Sequence, residues 1–247
     1  MKKGITVVFF DLGQTLIELS GLPVAMSESL AAHLPQTQQN LKNHIYAWVL
    51  GTHALFLEHR NKEFLSLKDI HFFSLKTVLE KMALQVPDPL IRQIVEDAWR
   101  LFVDHSVFHP DVLPVLHILK HQGYKLGMIT DSDTDVAQGM IQKHRLTEYF
   151  EVMMISGEIK RYKPDPFIFI EAVRRVGCSP DEAVYVGDSE LDIHGAKKSG
   201  LVTVVVRRNE LQDPAVNVQP DFYLSNLSGL PKLISQWTSR RVSVFFI

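Results

Sequence analysis

The chain has 247 residues, 46% of them hydrophobic and 22% charged, and its 26 Lys+Arg against 28 Asp+Glu give a formal net charge of −2. That balance excludes a disordered or fibrous chain and offers no basic excess for nucleic acid. At roughly 100–200 residues per domain it allows one large domain, or one domain carrying a sizeable insertion. The single cysteine, Cys178, excludes a disulfide framework and a cysteine-rich zinc site, and fits a reducing cytoplasm.

In chain order, Lys2 and Lys3 ahead of the apolar run Val7–Phe10 faintly resemble the start of a secretory signal. Asp11 cuts that run short and no small-residue cleavage site follows, so the run reads as a buried strand. No apolar stretch approaches the ~18 residues that span a bilayer, and a soluble chain is expected. From Glu18 to Asp104 the apolar residues recur at helical spacing with little β-branched content, over Leu41–Glu58, Ser66–Met82 and Pro89–Val103. This is read as an all-helical insertion, a cap over 18–104, set into a core made of 1–17 and 105–247.

Beyond it, helical stretches at Asp111–His121, Thr134–His144, Phe167–Val176 and Asp192–Ser199 alternate with short aliphatic runs. Lys125–Ile129 stops at Thr130 and Ala183–Val186 stops at Gly187-Asp188, while Glu151–Ile155 and Val202–Val206 lack so clean an end. Asp221–Leu224 and Leu227–Trp237 read as a closing strand and helix. The tail Arg240–Ile247, basic and then apolar, reads as an edge strand or a packed tail, with a partner contact as the alternative. Strands alternating with helices at this spacing predict an α/β fold with a doubly wound parallel sheet. Its working residues are expected at the carboxyl ends of the strands.

Asp11 stands at such an end, in Phe9-Phe10-Asp11-Leu12-Gly13-Gln14-Thr15, and a buried charge has to be paired or put to use. Val186-Gly187-Asp188-Ser189-Glu190-Leu191-Asp192 brings two more carboxylates to a second strand end. Between them lie Ile129-Thr130-Asp131-Ser132 and Lys163-Pro164-Asp165-Pro166. Converging carboxylates suit Mg²⁺, a hard ion with oxygen ligands, and a hydroxyl and a lysine beside them suit a phosphate group.

In this order the four segments resemble the motifs of the haloacid dehalogenase superfamily. Those run Asp-x-Asp-x-Thr, a strand ending in Ser or Thr, a lysine often followed by Pro-Asp-Pro, and Gly-Asp-x-x-x-Asp. The resemblance implies a Rossmann-like core with a helical cap inserted after the first motif. It also implies a Mg²⁺-dependent phosphatase acting on a small phosphorylated metabolite. Asp11 would be the nucleophile that forms an aspartyl-phosphate. Thr130, with Asp131 beside it, would hold the phosphoryl group, and Lys163 would neutralise charge on Asp11 and the phosphoryl oxygens. Mg²⁺ would be bound by Asp11, Asp188 and the backbone carbonyl of Gly13, with Asp192 supporting the acidic cluster. No nucleic-acid or membrane partner is implied, and monomer and homodimer stay open.

The chain departs from the pattern at Gly13, where family phosphatases carry the aspartate that protonates the leaving group. Three readings follow: a phosphatase for esters with good leaving groups, with Gln14 or a cap residue placing the water; a 2-haloacid dehalogenase; or a weakened protein kept for binding. The first is preferred because Asp188 and Asp192 are both retained. A dehalogenase would need a cap arginine for its carboxylate substrate, with Arg60, Arg92 and Arg100 as nominal candidates. A phosphonate-cleaving relative would need a Schiff-base lysine, and nothing marks Lys62, Lys68, Lys76 or Lys81 for that. Asp131, where relatives often carry Asn, is a smaller departure. Asp133 is expected to cap the helix that follows it, His44, His53 and His59 to be solvated or packed, and Cys178 to be structural.

Overall fold

A computed structural model describes residues 4–60, 62–208 and 218–243, with 238–243 by backbone alone. The elements run β1 (Val7–Phe10), α1 (Gly21–His33), α2 (Leu41–His59), α3 (Leu67–Lys81), α4 (Asp88–His105), α5 (Val112–His121), β2 (Lys125–Thr130) and α6 (Thr134–Lys143). They continue with β3 (Val152–Ile155), α7 (Ser156–Ile159), α8 (Pro166–Val176), β4 (Ala183–Gly187), α9 (Glu190–Lys198), β5 (Val202–Val206), β6 (Phe222–Leu224) and α10 (Leu230–Ser243).

Two compact units make up the chain. The first, Met1–Glu18, Val107–Asp131 and Arg145–Ile247, holds one parallel sheet in the order β3-β2-β1-β4-β5-β6. The chain steps outward from β1 to β3, returns to β4 on the other side of β1, and steps outward again to β6. That reversal leaves a crevice at the carboxyl ends of the central strands, where doubly wound sheets bind ligands. All four residues of β1 are buried, which explains a continuous Val-Val-Phe-Phe run where a one-faced sheet would show alternation. Phe9 lies opposite Gly127 of β2, and a Cβ on Gly127 would come 2.4 Å from the Phe9 ring. On one face Val7, Phe9, Ile129, Met154 and Tyr185 pack with Ile168 and Phe169 of α8. Among the described residues no helix is long and apolar enough to cross a membrane.

The second unit, Leu19–Ser106 and Ser132–His144, is helical among its described residues and contains α1 to α4 and α6. Its interior is aromatic. Trp48 is fully buried and its Nε1 donates to the carbonyl of His71 at 3.0 Å, while the His71 ring meets Trp48 and Trp99 edge-on at 5.8 and 5.2 Å. Helix α1 escapes sequence reading because Leu22, Val24, Ala25, Met26 and Leu30 leave it without a strong polar face. The closing helix continues through Ser243, so the start of the tail at Arg240 is helical where an edge strand was one expectation. Val244–Ile247 lie outside the described residues.

Asp133 occupies the backbone position that precedes α6, as expected, but its side chain makes no capping bond there. Its two oxygens instead accept from the backbone N–H groups of Leu67 and Lys68 at 2.9 and 2.8 Å, the first turn of α3. Ser66 accepts from Asp69 N at the same terminus, so three of the four N–H groups that a helix start leaves unpaired are satisfied. Asp133→Ala is therefore expected to cost about 1–2 kcal/mol, the scale of a lost N-terminal cap, seen as a lower urea midpoint. Asp135→Ala, at an exposed position on α6, serves as the comparison.

Candidate active site

The loop after β1 is closed on itself by local bonds. The carbonyl of Leu12 accepts from Leu16 N and Ile17 N at 3.0 and 2.9 Å, Gln14 N donates to Ile17 O at 2.7 Å, and Thr15 N donates to Gly13 O at 2.5 Å. Gln14 takes φ of +55°, a left-handed conformation uncommon for a side chain-bearing residue. This turn begins directly after Asp11, whose N–H donates to Val186 O of β4 and whose side chain is buried.

Lys163 is delivered from the segment ahead of α8, where the Lys163–Pro164 peptide is cis and Asp165 starts the helix by accepting from Phe167 N at 2.9 Å. Its Nζ lies 2.6 Å from Asp11 Oδ1 and 2.6 Å from Asp192 Oδ1. Burial alone would push a lysine toward neutrality, but the carboxylates of Asp11 and Asp192 outweigh it and hold Lys163 well above its ordinary range. Asp11 is raised by burial, with Lys163 opposing and Asp192 reinforcing the shift.

Asp192 is completely buried and accepts four bonds. Lys163 and the Tyr185 hydroxyl (2.8 Å) meet Oδ1, and Ser189 N (3.0 Å) and Oγ (2.7 Å) meet Oδ2. The Ser189 and Asp192 bonds form a capping box at the start of α9. Burial works against the Asp192 charge, but Lys163 and these hydrogen bonds prevail and lower its pKa. The approach depends on Gly187, because a Cβ there would sit 2.5 Å from Asp192 Cγ. Asp188 is the opposite case: burial, then the charges of Asp192 and Asp11, raise it well above the usual carboxylate range. The Thr15 hydroxyl lies 3.5 Å from its Oδ1.

Carboxylate oxygens of Asp11, Asp188 and Asp192 all come within 4.8 Å of one another, the one such group among the described residues. An all-oxygen donor set, anionic beyond what Lys163 balances, fits a hard divalent cation. The four bonds from Lys163, Tyr185 and Ser189 fill the acceptor capacity of Asp192.

Thr130 ends β2 and is buried. Asp131, next along, turns Oδ1 onto the backbone N–H of Lys163 at 3.1 Å, and burial pushes its carboxyl up to about 7 against the pull of Lys163. Of the other expected residues, Arg92 pairs with Asp69 and lies over the Phe72 ring, and Arg100 pairs with Asp97. Lys62, Lys68 and Lys76 are each paired with carboxylates. Burial, with Glu182 adding to it, raises the Cys178 thiol to about 11, which fits a structural residue.

Sequence reading missed Tyr185, Thr15 and Ser189. The Ser189–Asp192 spacing is itself a helix-start signature, and a tyrosine inside the buried strand β4 is the one polar group there in need of a partner.

A family model described as haloacid dehalogenase-like hydrolase matches residues 8–206. The chain is 44% identical over 106 residues to a glyceraldehyde 3-phosphate phosphatase of Methanopyrus kandleri, covering 42% of this chain and 46% of that protein. It is 32% identical over 131 residues to (S)-2-haloacid dehalogenase 1 of a Pseudomonas species, covering 53% of this chain and 57% of that protein. It thus spans about half the length of these curated relatives. In fold it is similar to L-2-haloacid dehalogenase from Xanthobacter autotrophicus, with a TM-score of 0.72 at 18% identity over 94% of this chain and 98% of that one.

Asp131 makes a pH-dependent signature. A folded-state pKa raised to about 7, against about 3.8 unfolded, means the folded chain binds the extra proton between those values, so stability falls as pH rises through them. Asp131→Asn keeps an acceptor for Lys163 N–H without the charge. It is expected to be more stable than the parent by about 2–4 kcal/mol at pH 8, with the gain vanishing near pH 4, read from urea unfolding at both pH values.

Proposed function

The chain belongs to the haloacid dehalogenase-like hydrolases, and from that premise we propose that it is a Mg²⁺-dependent phosphatase that cleaves a small phosphorylated metabolite through an aspartyl-phosphate on Asp11. The observation that carries this reading is the buried cluster in which Asp188 and Asp192 stand beside Asp11 and its lysine. Displacing halide from carbon has no need of a cation, whereas bringing a phosphate dianion to a carboxylate does. The phosphatase name of one relative agrees with it.

Asp11 attacks phosphorus, the bond from phosphorus to the leaving oxygen breaks, and the alcohol departs as an anion. Water then attacks the phosphorus of the mixed anhydride, which frees the Asp11 carboxylate and inorganic phosphate. Lys163, already against Asp11, offsets the charge of two anions meeting, and Asp192 with Tyr185 keeps the ammonium in place. Thr130 is assigned to the phosphoryl oxygens. Mg²⁺, held by Asp11, Asp188 and the Gly13 carbonyl, would supply the remaining neutralisation of the phosphoryl group.

At Gly13 no carboxyl is available to protonate the leaving oxygen. General acid help of ~10²–10⁴-fold is then missing, equivalent to roughly 3–5.5 kcal/mol of barrier. Substrates with good leaving groups, such as anomeric sugar phosphates or acyl phosphates, are the ones this site suits.

Phosphate release from p-nitrophenyl phosphate and acetyl phosphate, with Mg²⁺ and with EDTA, tests the proposal. Turnover that needs Mg²⁺ and disappears in Asp11→Asn is expected; full activity in that variant removes Asp11 as nucleophile. No turnover on either ester, with halide released from 2-haloacids, replaces the reading by a dehalogenase. Gly13→Asp is expected to raise turnover of simple alkyl phosphates by ~10²-fold or more. An unchanged rate in that variant, correctly folded, means another group already delivers the proton.

A further inference from the structure

Behind the loop that carries Asp11 and Gly13 sits a buried ion pair that the proposed chemistry does not use. Arg208, two residues past the end of β5, places Nη1 at 2.9 Å from Asp111 Oδ1, with the two side chains only 9% and 12% exposed. The rest of the guanidinium faces the loop. Nε donates to the carbonyl of Gln14 at 3.1 Å and Nη2 to the carbonyl of Thr15 at 2.7 Å. Asp111 is itself anchored, since its Oδ2 accepts from Leu227 N.

The peptide plane between Gln14 and Thr15 is thereby held at both edges. Its N–H donates to the carbonyl of Gly13, and its C=O accepts from Arg208. The plane follows the left-handed Gln14, a conformation that persists only where the surroundings over-determine it. The next carbonyl, also held by Arg208, belongs to Thr15, whose hydroxyl lies 3.5 Å from Asp188 Oδ1. A planar fork holds two adjacent carbonyls and a carboxylate with donors fixed in direction and spread over three nitrogens, whereas an ammonium offers three rotatable donors on one atom.

We propose that Arg208 is a positioning residue for the cation site: by locking the Gln14–Thr15 peptide it sets the direction of the Gly13 carbonyl and holds Thr15 beside Asp188. The proposal rests on the Mg²⁺ reading given above. It assigns no contact between Arg208 and the phosphoryl group.

Two readouts on the full chain test it, neither of them turnover: Mg²⁺ titration by calorimetry, and hydrogen exchange at the Thr15 amide without added metal. Arg208→Gln is expected to weaken Mg²⁺ binding by about tenfold and to speed Thr15 exchange by about the same factor, while amides of the β2–β3 ladder keep their protection. Arg208→Lys should recover only part of either. A folded Arg208→Gln with parental Mg²⁺ affinity and parental Thr15 exchange overturns the proposal and leaves a purely structural ion pair. If Arg208→Gln does not fold, Arg208→Lys carries the same comparison, and parental values in it are equally fatal. If the parent protein binds no Mg²⁺, the metal reading fails, and Thr15 exchange alone then decides whether Arg208 holds the loop.

Discussion

The ammonium of Lys163 lies 2.6 Å from an oxygen of Asp11 and 2.6 Å from an oxygen of Asp192, with all three side chains out of water. Removing one member of such a set leaves a buried charge uncompensated, which typically costs 3–5 kcal/mol. Much of the surrounding construction follows from that. Tyr185 and Ser189 fill the remaining capacity of Asp192, Gly187 omits the Cβ that would push it away, and Asp131 pins the lysine backbone. Asp11 and Asp192 hold Lys163 in its charged form, and Lys163 in turn holds Asp192 ionised.

The parallel sheet makes this meeting unavoidable. Asp11 follows β1, Asp188 and Asp192 follow β4, and those two strands are neighbours in register, Phe10 opposite Val186. Thr130 ends β2 on the other side of β1. Parallel neighbours end at the same edge, so residues more than 170 positions apart in sequence share one surface without a dedicated connection. Lys163 comes from the segment ahead of α8, a helix packed on this sheet through Ile168 and Phe169.

Much of this was legible in the sequence because it is written locally. Val7–Phe10 and Ala183–Val186 are aliphatic or aromatic runs broken by a charged or glycine-aspartate stop, which marks a strand end wherever the strand lies. That Lys163 stands against Asp11 is legible through the order of the motifs. Three other features depend on geometry that no short window carries. Asp133 precedes one helix yet serves the first turn of another, 66 positions away. Tyr185 passes as one more residue of a buried strand until its hydroxyl is seen against Asp192. Arg208 reaches a loop 194 positions earlier, and a pair of arginines after a strand reads as solvated surface.

The central place of β1 also bears on how the chain is made. Its hydrogen-bonding partners are β2 and β4, so β1 lacks both neighbours until more than a hundred further residues have been added. At about 5–20 residues per second that interval is on the order of ten seconds. Throughout it, Val7–Phe10, without a single polar side chain, has an unsatisfied edge on either side. Such bare edges are sites where another nascent chain can pair. The strand at the centre of the finished sheet is thus one whose two neighbours both arrive late in synthesis.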